Sequence, residues 1–96
     1  MMLLITYDVN TTTAEGRLRL RHVACTCKNY GQRVQNSVFE CRVTPAQAEI
    51  LEDELRSEID KTVDSLRIYN MGSGYRSKIK HIGAKVPLDL DGTIIF

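Results

Sequence analysis

A chain of 96 residues with 13 basic and 12 acidic side chains has room for one hydrophobic core and not for two. No apolar run approaches the roughly 20 residues that cross a bilayer, and no secretory pattern precedes the first apolar segment, so a cytoplasmic setting with no membrane partner is expected. Cys25, Cys27 and Cys41 fit neither a disulfide framework nor paired CxxC zinc motifs, and read as reduced thiols standing in for small apolar residues.

The first element is Leu3-Leu4-Ile5-Thr6-Tyr7-Asp8-Val9. This short, partly β-branched run stops at Asn10 and three threonines, which suits a strand buried on both faces better than a helix. It ends on one carboxylate, Asp8, which a central strand would hold on a rigid platform. A helix is expected from about Ala14, with N-cap candidates in residues 10–13 and Gly16 weakening its first turn. Leu20, Val23, Ala24 and Cys27 supply its buried stripe. Arg17 and Arg21 lie four apart on one exposed face, with Arg19 and His22 nearby, and Gly31 is the expected left-handed cap.

Residues 32–43 read as a short edge strand, a tight reversal near Asn36 and a longer strand from Ser37; one bent strand fits almost as well. Phe39, Cys41 and Val43 alternate with Glu40 and Arg42, giving one buried and one wet face. Thr44-Pro45-Ala46-Gln47 has the residues of a capping box with proline at the first helical position. Ala48, Leu51, Leu55 and Ile59 form the apolar stripe of that second helix, and its carboxylates read as a solvated face. Asp64 to Asn70 alternates like a strand, Met71-Gly72-Ser73-Gly74 reads as a turn, and Ser77 to Gly83 as another short strand. The division expected is a domain over 1–83 and a tail over 84–96, whose Ile94, Ile95 and Phe96 would dock on a dimer mate or partner.

The order is β-α-β-β-α-β, the α+β ferredoxin-like arrangement of two helices on one face of an antiparallel sheet. The opposite face has no helix of its own, so a second copy is a natural lid.

Charge is balanced overall but not along the chain. Arg17, Arg19, Arg21, Lys28 and Arg33 occur with no acid among them, whereas the charged residues of 49–60 are all acidic apart from Arg56. A phosphate-binding face is therefore possible despite the neutral sum. Arginine forks match phosphate oxygens, although helical arginines also serve as ordinary solvated surface. Asp8 alone reads as a strand-end turn residue. It becomes a cation site if two-fold symmetry supplies a second carboxylate, because Mg²⁺ (or Mn²⁺) in phosphodiester cleavage needs one or two carboxylates plus substrate oxygens. Ser37 fits either a phosphate or its neighbouring backbone. Phe39 reads as core, and neither His22 nor His81 has a visible partner. P-loop, HExxH and GxSxG motifs are absent.

Tyr7-Asp8-Val9, Arg19-Leu20-Arg21-His22-Val23-Ala24 and the string from Tyr30-Gly31-Gln32-Arg33 through Ser37-Val38-Phe39-Glu40-Cys41 resemble the second CRISPR-associated core protein family, the small partner of the integrase in bacterial spacer acquisition. The tail, with Ile82-Gly83-Ala84-Lys85, Pro87 and the terminal Ile94-Ile95-Phe96, is similar to the variety in subtype I-C systems. The resemblance implies a ferredoxin-like homodimer whose Asp8 carboxylates face each other and bind magnesium. It implies a metal-dependent endonuclease acting on single-stranded RNA or double-stranded DNA, and a scaffold holding DNA between integrase subunits. By position Asp8 carries over as metal ligand and catalytic residue. Arg19, Arg21, Arg33, Phe39 and Ser37 carry over as functional positions, the arginines taken with Arg17 as nucleic-acid contacts and Phe39 as packing or dimer support. No second acid accompanies Asp8, so a non-catalytic scaffold or a stand-alone RNA-cleaving toxin of related fold remain alternatives.

Overall fold

In the computed structural model, which describes residues 1–74 together with 77, 80 and 82, the elements run β1 (Met2–Asp8), α1 (Ala14–Lys28), β2 (Gly31–Gln35), β3 (Val38–Arg42), α2 (Pro45–Glu58) and β4 (Ser65–Gly72). The strands form one sheet in the order β2-β3-β1-β4, with antiparallel pairing throughout. The first strand is therefore central, as its apolar run predicts, and the fold is the expected α+β ferredoxin-like one. Of the expected strand from Ser77 to Gly83 only Ser77, Lys80 and Ile82 are described, and none of the three is in a strand; the tail with Ile94, Ile95 and Phe96 lies outside the described residues.

The sheet has two unlike faces. Leu3, Ile5 and Tyr7 of β1 join Phe39 and Cys41 of β3 on one side and bury Val23 and Cys27 of α1 and Leu51 and Leu55 of α2 against them. Leu66 and Ile68 of β4, opposite Tyr7 and Ile5, extend this core. The alternate residues point the other way, where no helix packs among the described residues. Leu4, Thr6 and Val38 are half-buried there, and Asp8, Arg67 and Tyr69 are exposed. Burial of β1 on both faces holds only in part: α1 and α2 cover the side of Leu3, Ile5 and Tyr7, while on the other side Met2 is buried, Leu4 and Thr6 are half-buried and Asp8 is exposed.

Each helix starts where its cap residues place it. The Thr13 hydroxyl accepts from the Gly16 amide at 3.0 Å. In α2 the Gln47 amide donates to the Thr44 hydroxyl at 3.2 Å while the Gln47 side chain accepts from the Thr44 amide at 2.9 Å, with Pro45 next in line. This satisfies donors that a helix end leaves open. Gly16 has a packing reason beyond propensity: a Cβ there would collide with the Asn10 carbonyl. Gly31 does not cap α1; Asn29 does so in right-handed conformation, and Gly31 opens β2 pressed against the Glu40 carbonyl. The reversal between β2 and β3 falls where expected, with Ser37 itself left-handed at φ 63°. β4 continues through Gly72, so the expected turn starts later than Met71.

Cys27 and Cys41 behave as the sequence suggests. Both are fully buried, and burial pushes their thiols up to about 12. Cys25 differs, lying exposed on α1.

Candidate functional site

Asp8 is the last residue of β1 and is exposed on the open face. No side chain bonds its carboxylate among the described residues. Across the ladder Asp8 is opposite Ser65, and Thr6 is opposite both Arg67 and Val38. Directly opposed residues share a face, and so do residues two apart on a strand. The carboxylate of Asp8, the hydroxyls of Thr6 and Ser65 and the guanidinium of Arg67 therefore occupy one corner of this surface. Arg67 donates to the Tyr69 hydroxyl at 3.2 Å.

This corner is braced from behind by Asp64, a fully buried carboxylate. It accepts from the Asn10 amide at 2.9 Å and from the Asp60 amide at 2.9 Å. The Arg19 fork donates to it as well, from Nε at 2.8 Å and Nη2 at 3.4 Å. The exit of β1, helix α1 and the loop before β4 are thus tied to one side chain, next to the Asp8–Ser65 pair. The Arg19 guanidinium, followed by the two backbone donors, outweighs burial and holds the Asp64 carboxyl down to about 2. Asp60 is lowered too, chiefly by donors from Thr62.

The arginines expected to meet phosphate fall in other places. Arg17 and Arg21 are exposed on α1, and Arg17 donates to the Thr11 carbonyl at 3.3 Å. Arg19 has another partner than phosphate, namely Asp64. Arg33 lies opposite Phe39, so it is on the helix side of the sheet and not on the face of Asp8. Its guanidinium sits 5.2 Å from the Phe39 ring centre, and Phe39 stacks on Tyr7 with centroids 6.2 Å apart. Burial pushes the Tyr7 phenol up, with Arg33 partly opposing the shift. Phe39 is 1% exposed and can present no ring to a base; it is packing. Ser37 reaches the site through its backbone, its carbonyl accepting from the Tyr7 amide at 3.1 Å.

Sequence reasoning passed over Asp64, Ser65 and Arg67. The alternation of the β4 segment disclosed a strand, but only its register against β1 shows which of its residues flank Asp8. No cluster of three or more metal-ligating side chains occurs among the described residues. A cation at Asp8 would therefore draw its remaining ligands from water, substrate or a second chain. No helix among the described residues is long and apolar enough to cross a membrane.

The chain matches known proteins along its length. Residues 1–79 match the family model for CRISPR associated protein Cas2. A Chlorobaculum tepidum protein named CRISPR-associated endoribonuclease Cas2 is 57% identical over 95 residues, 99% of each chain. A Halalkalibacterium halodurans protein named CRISPR-associated endonuclease Cas2 is 56% identical over 96 residues, the whole of both. The crystal structure of Streptococcus pyogenes Cas2 at pH 6.5 superposes with a TM-score of 0.77 at 53% identity, covering 86% of this chain and 100% of that one.

Proposed function

The chain belongs to the CRISPR-associated Cas2 family, and from that premise we propose that it is an endonuclease working as a homodimer, with the Asp8 carboxylates of two copies at the centre of the site. The observation that carries this reading is an exposed carboxylate at the end of the central strand, without a partner among the described residues and on the sheet face opposite α1 and α2. Pairing two such faces would cover Leu4, Thr6 and Val38 and bring the two first strands together.

Asp8 suits a hard divalent cation, Mg²⁺ or Mn²⁺, which takes one or two carboxylates and fills its other positions with water and phosphate oxygens. When bound, such an ion supplies water activation and charge neutralisation at phosphate. The chain's own contribution is to fix the carboxylate's position. The β1–β4 ladder, the Tyr7-to-Ser37 hydrogen bond and the Asn10-to-Asp64 hydrogen bond all hold the backbone around it.

A second role is favoured by α1, where Arg17, Arg21, His22 and Lys28 are all exposed. We infer that this strip contacts duplex DNA as the dimer bridges integrase subunits in spacer acquisition, with Ile94, Ile95 and Phe96 docking the partner. The two roles share one protein and separate experimentally. Asp8→Asn should abolish magnesium-dependent cleavage of single-stranded RNA and duplex DNA while leaving twice the single-chain mass in sedimentation. Cleavage that persists in Asp8→Asn, or in chelator, sinks the nuclease role. Charge reversal at Arg17 and Arg21 should then impair DNA binding alone.

A further inference from the structure

The acid and the arginines singled out in the sequence do not share a surface. Arg33 is on the helix side of the sheet, and Arg17, Arg19 and Arg21 belong to α1, which packs on that side. A phosphodiester approaching Asp8 on the open face meets a negative charge and needs a cation beside it. Among the described residues two arginines lie on that face. Arg42 is opposite Met2, six residues up β1 from Asp8 and about 20 Å away at the rise of a strand. Arg67 is opposite Thr6 and is the diagonal neighbour of Asp8 across the β1–β4 ladder, a spacing of roughly 7–8 Å that long side chains bridge.

Arg67 also has the state a ligand-binding cation requires. It is exposed, no carboxylate pairs with it among the described residues, and the Tyr69 hydroxyl accepts from it at 3.2 Å. Asp8, though within reach, is not its partner. A carboxylate and a guanidinium left unpaired as neighbours leave between them a place for a group that is attracted to a guanidinium and, with a cation on Asp8, to both. Ser65, directly opposite Asp8, adds a hydroxyl to the same corner.

We propose that Arg67 is the phosphate-binding residue of the Asp8 site, holding two non-bridging oxygens of the phosphodiester through its fork, with Tyr69 as its positioning residue. The assignment rests on the nuclease reading above and adds to it a residue from β4. It also gives the open face a chemical reason to stay polar at this end: a dimer closing over it encloses a guanidinium that the nucleic-acid backbone neutralises.

The test uses the full-length chain with R67Q, R67K and D8N, and a labelled single-stranded RNA as probe. Binding is measured against salt in chelator, cleavage in Mg²⁺, and mass by sedimentation. R67Q should cleave about 100-fold more slowly, the scale of losing one preorganised donor at a developing charge. Its log-affinity against log-salt slope should fall by roughly 0.7, one single-strand phosphate contact. R67K should keep the slope and remain slow, because an ammonium lacks the fork. The proposal is overturned if R67Q cleaves as fast as wild type or keeps the wild-type slope. It is also overturned if R67Q and D8N both dissociate to single chains, which would make the pair an ion pair between copies. If D8N cleaves like wild type, the nuclease reading alone fails, and the salt slope still decides Arg67.

Discussion

Replacing Asp64 tests whether the brace behind the site holds by charge or merely by shape. The carboxyl is held from an ordinary 3.8 down to about 2, with its side chain fully buried. At about 1.36 kcal/mol per unit, that difference is worth about 2 kcal/mol of folding stability. Because the folded value is the lower one, this contribution is complete above pH 3.8 and is lost as pH falls toward 2. Asp64→Asn keeps the shape and one acceptor but not the charge, and should be about 2 kcal/mol less stable at pH 7. Asp64→Ala also strands the Asn10 and Asp60 amides and should cost about 3 kcal/mol. Arg19, with 22% of its side chain exposed, relieves part of that loss by turning to water. Urea unfolding at fixed protomer concentration, at pH 7 and through the acid range, measures both effects. The gap between wild type and Asp64→Asn should narrow as pH approaches 2. An Asn variant as stable as wild type at pH 7, or a gap constant with pH, refutes the electrostatic account.

Two further predictions concern the helix side of the sheet. Cys25 should react with a thiol-specific disulfide reagent in the native protein at pH 8, while Cys27 and Cys41, buried and pushed up to about 12, react only after unfolding. Equal labelling of all three in the native state would contradict the packing described. Phe39→Ala should cost about 3–5 kcal/mol, since the ring is buried between Tyr7 and Arg33 and its removal leaves a cavity. Thermal unfolding reads this directly, and a shift of only a degree or so would show that the ring is not part of the core.

Much of the fold was legible because its signals are local. The Thr44-Pro45-Gln47 box, the stripe of Leu51 and Leu55 and the alternation of Phe39 with Cys41 each depend on a few adjacent residues, and each holds in the structure. Asp8 was legible for the same reason, as the acid closing an apolar run. What sequence could not give was register. Arg19 looks like any helical surface arginine until Asp64, 45 residues later, is brought beneath it. Arg33 looks like a phosphate contact for the same site until the β2–β3 pairing sets it over Phe39 on the face opposite Asp8. Arg67 carries no local signal at all, because its nearness to Asp8 exists only in the β1–β4 pairing. Glycines mislead in a related way. Gly16 reads as a weak point of α1 although close approach of the Asn10 carbonyl requires it.

In the homodimer proposed above, dependence on a second copy would explain why so much structure converges on one short strand end. In an active site drawn from a single chain, a shift of one ligand can be offset by a neighbour. When two identical halves face each other across a two-fold axis, any slack in one half is repeated in the other. Productive geometry requires reacting groups to be held within about 0.5 Å, and loops do this less well than paired strands. In this chain Asp8 ends the strand that has neighbours on both sides, and its own ladder partner is Ser65. The residue before it is fixed by Ser37 through a main-chain bond, and Asn10, two residues after it, is fixed by buried Asp64. Tyr7 adds a third restraint from the core, stacked on Phe39. Among the described residues the carboxylate itself has no partner while the backbone that carries it is restrained from several sides, which is the arrangement that the proposed sharing of a ligand between two copies would demand.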